Sequence, residues 1–263
     1  MSTQHIGTQQ ADTHPLAGST AIVTGASRGF GRAICASLAG AGARVIGVAR
    51  TRTALEQVEE NLGQIGASFI PFAADAADPT VAGLLIDEYQ PDLIVLNAGA
   101  APLARPVQHH TWETFGAAWE VDVRQAFHWT REALLKPLRP GSQVIAFSSG
   151  AAVGGSPMSG GYSGAKAMVR FLMSYAADES ERAALGIRFT AVLPTLTPET
   201  EMGARAVAAY ADRAGLDVET FLKERGPVLT PKHVGDAVLG LATGAEPYRA
   251  ASTLTASGLT PLK

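Results

Sequence analysis

Cysteine is almost missing: Cys35 is alone in 263 residues, so no internal disulfide and no cysteine-based zinc site can form. It falls in an apolar helical pattern, a setting for a small buried residue rather than a reactive thiol. Aromatic residues make up only 6% of the chain, whereas glycine occurs 28 times and alanine is abundant. Small residues in this proportion suit a parallel sheet covered by closely packed helices. The formal net charge is −3 and no cluster of Lys and Arg stands out, which excludes the basic footprint of a nucleic-acid-binding protein. No apolar run approaches the length of a membrane span. Residues 1–17 (MSTQHIGTQQADTHPLA) have neither the charged start nor the apolar stretch of a signal peptide. Their polar composition predicts a disordered tail, and the expected setting is cytoplasmic.

What is present is rhythm. With 46% hydrophobic residues the chain can bury one large core, which favours a single α/β domain over residues 18–263. Short runs rich in Val, Ile, Leu and Phe predict strands at Thr20–Thr24, Arg44–Ala49, Ser68–Ala73, Asp92–Leu96, Gln143–Ser148 and Arg188–Leu193, with a weaker one at Ser252–Ser257. Helical patterns lie between them, near 31–40, 53–62, 79–89, 112–136 and 162–184. This alternation predicts a doubly wound parallel sheet, the Rossmann fold. Residues 195–228 break the pattern with Pro198, Pro227 and two short amphipathic stretches directly after a strand end. Ligands of such sheets bind beyond the carboxyl ends of the strands, and long connections are usually functional, so this segment is expected to be a small helical lid over a pocket.

The first strand runs into Thr24-Gly25-Ala26-Ser27-Arg28-Gly29-Phe30-Gly31, and a helix follows. Glycines in such a turn let phosphates approach the main chain, and the helix start offers free N–H groups and a positive dipole end. The stretch Gly25-Ala26-Ser27-Arg28-Gly29 also fits the G-x-S-x-G elbow of a hydrolase. That fold places several strands before the elbow and a triad carboxylate and histidine after it. Here one strand precedes, and the last histidine, His233, opens a helix after a proline. Past the second strand, Ala49-Arg50 replaces the acidic residue that an NAD site offers to the ribose. Arg28 and Arg50 can both serve a 2′-phosphate, which a carboxylate would repel. Tyr162 and Lys166, four apart on a helix, share a face. A phenol ionises near pH 10, and a neighbouring ammonium favours the phenolate, which brings proton transfer into range.

Taken together, the turn at 24–31, Asn97-Ala98-Gly99 after the fourth strand, Ser149, and Tyr162-x-x-x-Lys166 resemble the short-chain dehydrogenase/reductase family, over about residues 18–245 and in the family's order and spacing. The resemblance implies NADP(H) as cofactor, a ketone or secondary alcohol as substrate, and a homodimer or homotetramer. It implies that Tyr162 exchanges the substrate proton, that Ser149 holds the substrate oxygen and that Lys166 also binds the nicotinamide ribose. Gly25, Ser27, Arg28, Gly29, Phe30 and Gly31 would bind the phosphates, Asp75 and Ala76 the adenine, and Asn97, Ala98 and Gly99 would line the cofactor. Pro194, Thr195 and Thr197 would meet its nicotinamide end. The chain departs from the family at three points. Asp122 stands where a catalytic Asn is usual, Pro194-Thr195 replaces Pro-Gly, and Ser257-Gly258-Leu259 replaces the terminal Gly-Gly. A non-catalytic dinucleotide sensor on the same fold is the alternative.

The substrate pocket is expected between Ala100–Arg105, Gly150–Met158 and the lid, with Met202, Tyr210 and Phe221 contributing. Its small and apolar residues suit an uncharged substrate. His109, His110 and His128 read as packing or surface residues, with no metal site. Trp112, Trp119 and Trp129 on the long helix read as core or subunit contacts.

Overall fold

A computed structural model describes residues 14–262. Eight strands form one sheet: β1 (Thr20–Thr24), β2 (Arg44–Ala49), β3 (Phe69–Ala73), β4 (Leu93–Leu96), β5 (Gln143–Phe147), β6 (Arg188–Pro194), β7 (Ala251–Thr255) and β8 (Gly258–Pro261). Their order is β3-β2-β1-β4-β5-β6-β7-β8. All neighbours are parallel except β7 and β8, which form an antiparallel pair. The order reverses between β1 and β4, so the crevice beyond the ends of these two strands is the expected ligand position.

Alternate residues of each strand serve opposite faces. Val23, Val45 and Val95 face one core, built with helices α1 (Gly29–Gly40), α2 (Arg52–Gly63) and α10 (Pro231–Thr243). Ile22, Ile46 and Ile94 face the other, built with α3 (Pro79–Tyr89), α5 (Arg124–Leu135) and α7 (Tyr162–Arg182). Burial on both faces explains why the strands are apolar runs without alternation. The connection after β6 folds as α8 (Glu201–Ala214) and α9 (Val218–Lys223) around a small core of Val207, Ala211 and Phe221.

Three expectations need correction. The pattern over 112–136 is not one helix: α4 (Trp112–Ala118) passes into a π-helical turn at Trp119–Val123 before α5 begins. Of its tryptophans only Trp129 is fully buried, donating its indole N–H to the Ala76 carbonyl at 3.0 Å; Trp112 is 79% exposed. The strand β8 had no counterpart in the sequence pattern. The last residues of the tail expected over 1–17 are ordered. Residues 1–13 lie outside the described residues, but 14–17 form an ordered turn, with Leu16 buried in the α1/α2/α10 core and its N–H bonded to the Ala41 carbonyl at 3.0 Å.

Leu16→Ala is therefore expected to cost about 2 kcal/mol of stability, the low end for a truncated buried leucine. Urea denaturation of both proteins measures this, and an unchanged midpoint would mean that the turn does not dock.

Candidate active site

The glycine-rich turn is shaped by contact with its neighbours. A Cβ on Gly31 would lie 2.1 Å from the Gly25 carbonyl oxygen, so only glycine lets α1 start so close to β1. Helix α1, like α2 and α7, has no side-chain cap and no acidic residue in its first turn, whereas α3, α4, α8, α9 and α10 are each capped by their own Asp or Thr. An uncapped, positive helix end behind a glycine turn fits a pyrophosphate.

Arg28, at the head of α1, is exposed and pairs with Glu201 at 2.5 Å. Glu201 opens α8 and also holds Arg205. The guanidinium expected to be free for a phosphate thus already has a carboxylate partner, one supplied by the start of α8. Arg50 is exposed just beyond β2. Asp75 uses a carboxylate oxygen to accept from its own turn, at the Ala77 N–H, and the Ala76 side chain is buried.

At the carboxyl end of β4, the Asn97 side chain donates to the Thr24 and Gly25 carbonyls at 3.2 and 3.4 Å. The Asn97–Gly99 turn is thereby tied to the glycine-rich turn. A Cβ on Gly99 would meet an Asp122 carboxylate oxygen at 2.4 Å, so the turn can approach that carboxylate only as glycine. Asp122 comes from the π-helical turn and accepts from the Ala100 N–H at 3.2 Å.

Asp122 meets Lys166 here. The ammonium donates to the Phe147 carbonyl at the end of β5 at 2.9 Å, and an Asp122 oxygen lies 3.5 Å from it. Both groups are buried, Lys166 at 6% exposure and Asp122 at 1%. Burial works against the Lys166 charge, but the Asp122 carboxylate and the Tyr162 phenol outweigh it, and the pKa of the ammonium rises above its usual 10.5. Burial pushes the Asp122 carboxyl upward, opposed by Lys166 and by the Ala100 N–H. The Tyr162 ring, which opens α7, has its centroid 5.6 Å from the Lys166 nitrogen. Ser148 donates to the Lys166 carbonyl at 2.7 Å and so fastens β5 to this turn of α7. Ser149 follows, half-buried, and its hydroxyl oxygen accepts from the Ala151 N–H at 3.2 Å.

The expected pocket walls are stitched together. Arg105 donates its N–H to the Met158 carbonyl at 3.0 Å. The Tyr210 hydroxyl on α8 bonds Ser156 at 2.5 Å and accepts from the Met158 N–H at 3.4 Å. Two of the expected residues are buried. Phe221 is packed with Val207 and Ala211 between α8 and α9. Thr197 is buried, donates to the Leu229 carbonyl and accepts from the Glu199 N–H. Its single hydroxyl proton is committed to Leu229, which ties the start of the connection after β6 to the chain just before α10. Thr195 is half-buried, takes its place through an N–H bond to the Leu254 carbonyl, and lines a cavity of about 280 Å³ with Leu196, Arg225 and Ser257. Gln125, which the sequence reading passed over, is buried among these elements. A polar residue in the buried phase of an amphipathic helix was the available signal.

The doubly wound sheet, the glycine turn at its first strand and the Tyr162–Lys166 pair define a dinucleotide-binding α/β protein. The short chain dehydrogenase family profile matches residues 19–211, and the chain belongs to that family. Versicolorin reductase 1 of Aspergillus parasiticus is 35% identical over 60% of this chain, and the chain spans 63% of that relative's length. Hydroxynaphthalene reductase arp2 of Aspergillus fumigatus is 29% identical over 87% of both. Among solved structures, a putative 2-deoxy-D-gluconate 3-dehydrogenase from Agrobacterium tumefaciens with bound NADP is 26% identical, with a TM-score of 0.76 over 92% of this chain and 96% of that one.

The ion pair has a pH signature. Because the Lys166 pKa is raised on folding, its stabilisation is fully present below pH 10.5 and is lost as pH rises through the folded value. In Asp122→Asn only burial and the phenol act on the ammonium, so that loss should vanish. Urea denaturation between about pH 10 and 12 is expected to show wild-type stability falling more steeply than the variant's. Parallel curves would mean that the pair does not form.

Proposed function

We propose that this chain is an NADP(H)-dependent oxidoreductase that interconverts a ketone and a secondary alcohol, with Tyr162 as general acid and base. The observation that carries the reading is the buried Lys166 ammonium, fixed by the Phe147 carbonyl and Asp122 and lying beside the Tyr162 ring. The nicotinamide, when bound, supplies or accepts the hydride. Tyr162 gives its proton to the carbonyl oxygen in reduction and takes it back in oxidation, with the fixed positive charge of Lys166 beside its ring. Ser149 accepts from Ala151, which leaves its hydroxyl proton free for the same substrate oxygen. With donors committed to Phe147 and Asp122, Lys166 keeps one N–H for the nicotinamide ribose. Asp122 acts by holding Lys166 and the Ala100 N–H.

The phosphates belong on Gly25, Ser27, Gly29, Phe30, Gly31 and the open start of α1. Arg28 and Arg50 serve the 2′-phosphate, and a bound phosphate competes with Glu201 for Arg28. The NADP in the Agrobacterium relative supports this choice. Asp75 and Ala76 border the adenine, Asn97–Gly99 the ribose, and Pro194 and Thr195 the nicotinamide. Residues 195–228 act as the lid.

Leu103, Val153, Leu196 and Met202 are exposed around the carboxyl ends of the strands, which suits a bulky uncharged ketone. Reduction is the favoured direction, since cells keep this cofactor reduced. Versicolorin and hydroxynaphthalene reductases are named for reductions, and the non-catalytic alternative has no such support. Among the described residues no helix is long and apolar enough to cross a membrane, in keeping with a cytoplasmic enzyme. The exposed Phe127, Phe171 and Tyr175 on α5 and α7 support a homodimer or homotetramer.

Consumption of NADPH with a panel of ketones tests the activity. Tyr162→Phe is expected to lower turnover by about 10²–10⁴-fold, and a variant retaining full turnover would remove Tyr162 from the chemistry. Comparing kcat/KM for NADPH and NADH tests the cofactor. About tenfold or greater preference for NADPH is expected from charge-assisted contacts to the arginines. Arg50→Asp should weaken NADPH strongly and improve NADH modestly. Equal use of both cofactors by the wild type would show that the arginines serve solvent only.

A further inference from the structure

We propose that Gln125 is a positioning residue that sets the cofactor-facing turn Asn97–Gly99 at a fixed height against the glycine-rich turn and Lys166. The inference rests on the proposed cofactor role of those turns. Gln125 lies in the first turn of α5 and is 2% exposed. A buried primary amide is costly unless both of its ends are bonded, and here both are. Its oxygen accepts from the Thr24 hydroxyl at 2.7 Å, and its nitrogen donates to the Ala98 carbonyl.

The Thr24 hydroxyl is the junction. Its oxygen accepts the N–H groups of Asn97 at 2.9 Å and Ala98 at 3.1 Å, so its single proton must point to a third group. Gln125 offers an acceptor at 2.7 Å, against 3.4 Å for the Val95 carbonyl. Gln125 therefore orients the hydroxyl that receives the two N–H groups and separately holds the carbonyl of the same turn. Three residues earlier, Asp122 takes the Ala100 N–H and faces Lys166. Both residues bond the stretch from Ala98 to Ala100, so one helical segment grips the turn at both ends and carries the counter-ion of the ammonium. The spacing between the cofactor turn and Lys166 is thereby set by one rigid element.

Gln125→Met keeps length and bulk but removes both hydrogen bonds. The expected result is a rise of about tenfold in the KM for NADPH and in the Kd for NADP+ measured by calorimetry, with kcat at saturation changed by less than about threefold. Ala133→Gly, a buried change farther along α5, serves as the stability control: it should lower the melting temperature and leave the NADP+ affinity alone. In a double-mutant cycle with Thr24→Val, the two losses of affinity should be less than additive, because both remove the same junction. Wild-type NADP+ affinity in Gln125→Met, an equal loss of affinity in Ala133→Gly, or full additivity with Thr24→Val would each overturn the proposal. Should Gln125→Met not fold, Gln125→Asn keeps the amide but is one methylene too short to span both partners, and the same shift in affinity decides. A wild-type protein that binds neither NADP+ nor NADPH would instead defeat the cofactor reading itself.

Discussion

A lysine ammonium taken out of water costs several kcal/mol unless its charge and its hydrogens are met, and in this chain that demand organises the centre of the molecule. Lys166 needs the Phe147 carbonyl from the end of β5 and the Asp122 carboxylate from the π-helical turn. Each partner is in place only when β5, α7 and the helix before α5 are packed on the same sheet. A regular helix through 119–123 would follow another phase, and the wider turn directs Asp122 inward, consistent with the frequent occurrence of such turns at functional sites. Asp122 is in turn reachable only because Gly99 has no side chain to block it. Charge, helix irregularity and glycine form one linked arrangement.

On the other side of the crevice the logic is inverted, since groups are left open instead of satisfied. Helix α1 alone among the helices bordering the glycine turn begins where a phosphate would sit, and it begins without a cap. Helix α8 reaches into this region through Glu201, which engages Arg28, while Tyr210 farther along it engages Ser156 and Met158. One helix thus touches both the phosphate-binding turn and the loop leading to Tyr162. Exposed ion pairs such as Arg28–Glu201 are weak, so a phosphate has little to displace.

The strands were legible because burial on both faces makes them continuous apolar runs, and β1, β2 and α3 have the bounds read from sequence. The nearness of Tyr162 and Lys166 was legible because their spacing at a helix start is local, and the structure places the Tyr162 ring beside the Lys166 nitrogen. The settings of Thr197 and Phe221 were not legible, for the opposite reason. A threonine hydroxyl or a phenylalanine ring in a long connection can face inward or outward, and only the packing of α8, α9 and Leu229 decided it. Gln125 was missed because its partners, Thr24 and Ala98, are distant in the chain.

Composition and periodicity by themselves determined a doubly wound sheet, a phosphate-type turn after its first strand and a Tyr–Lys pair on one helix face. These are properties of neighbouring residues, and backbone geometry translates them directly. The partner of Arg28, the depth of Asp122, the π-helical turn and the clamp through Gln125 were decided only by the tertiary structure. Each depends on which groups the packing of the chain brings together, and those counterparts lie as many as 173 residues apart along the chain.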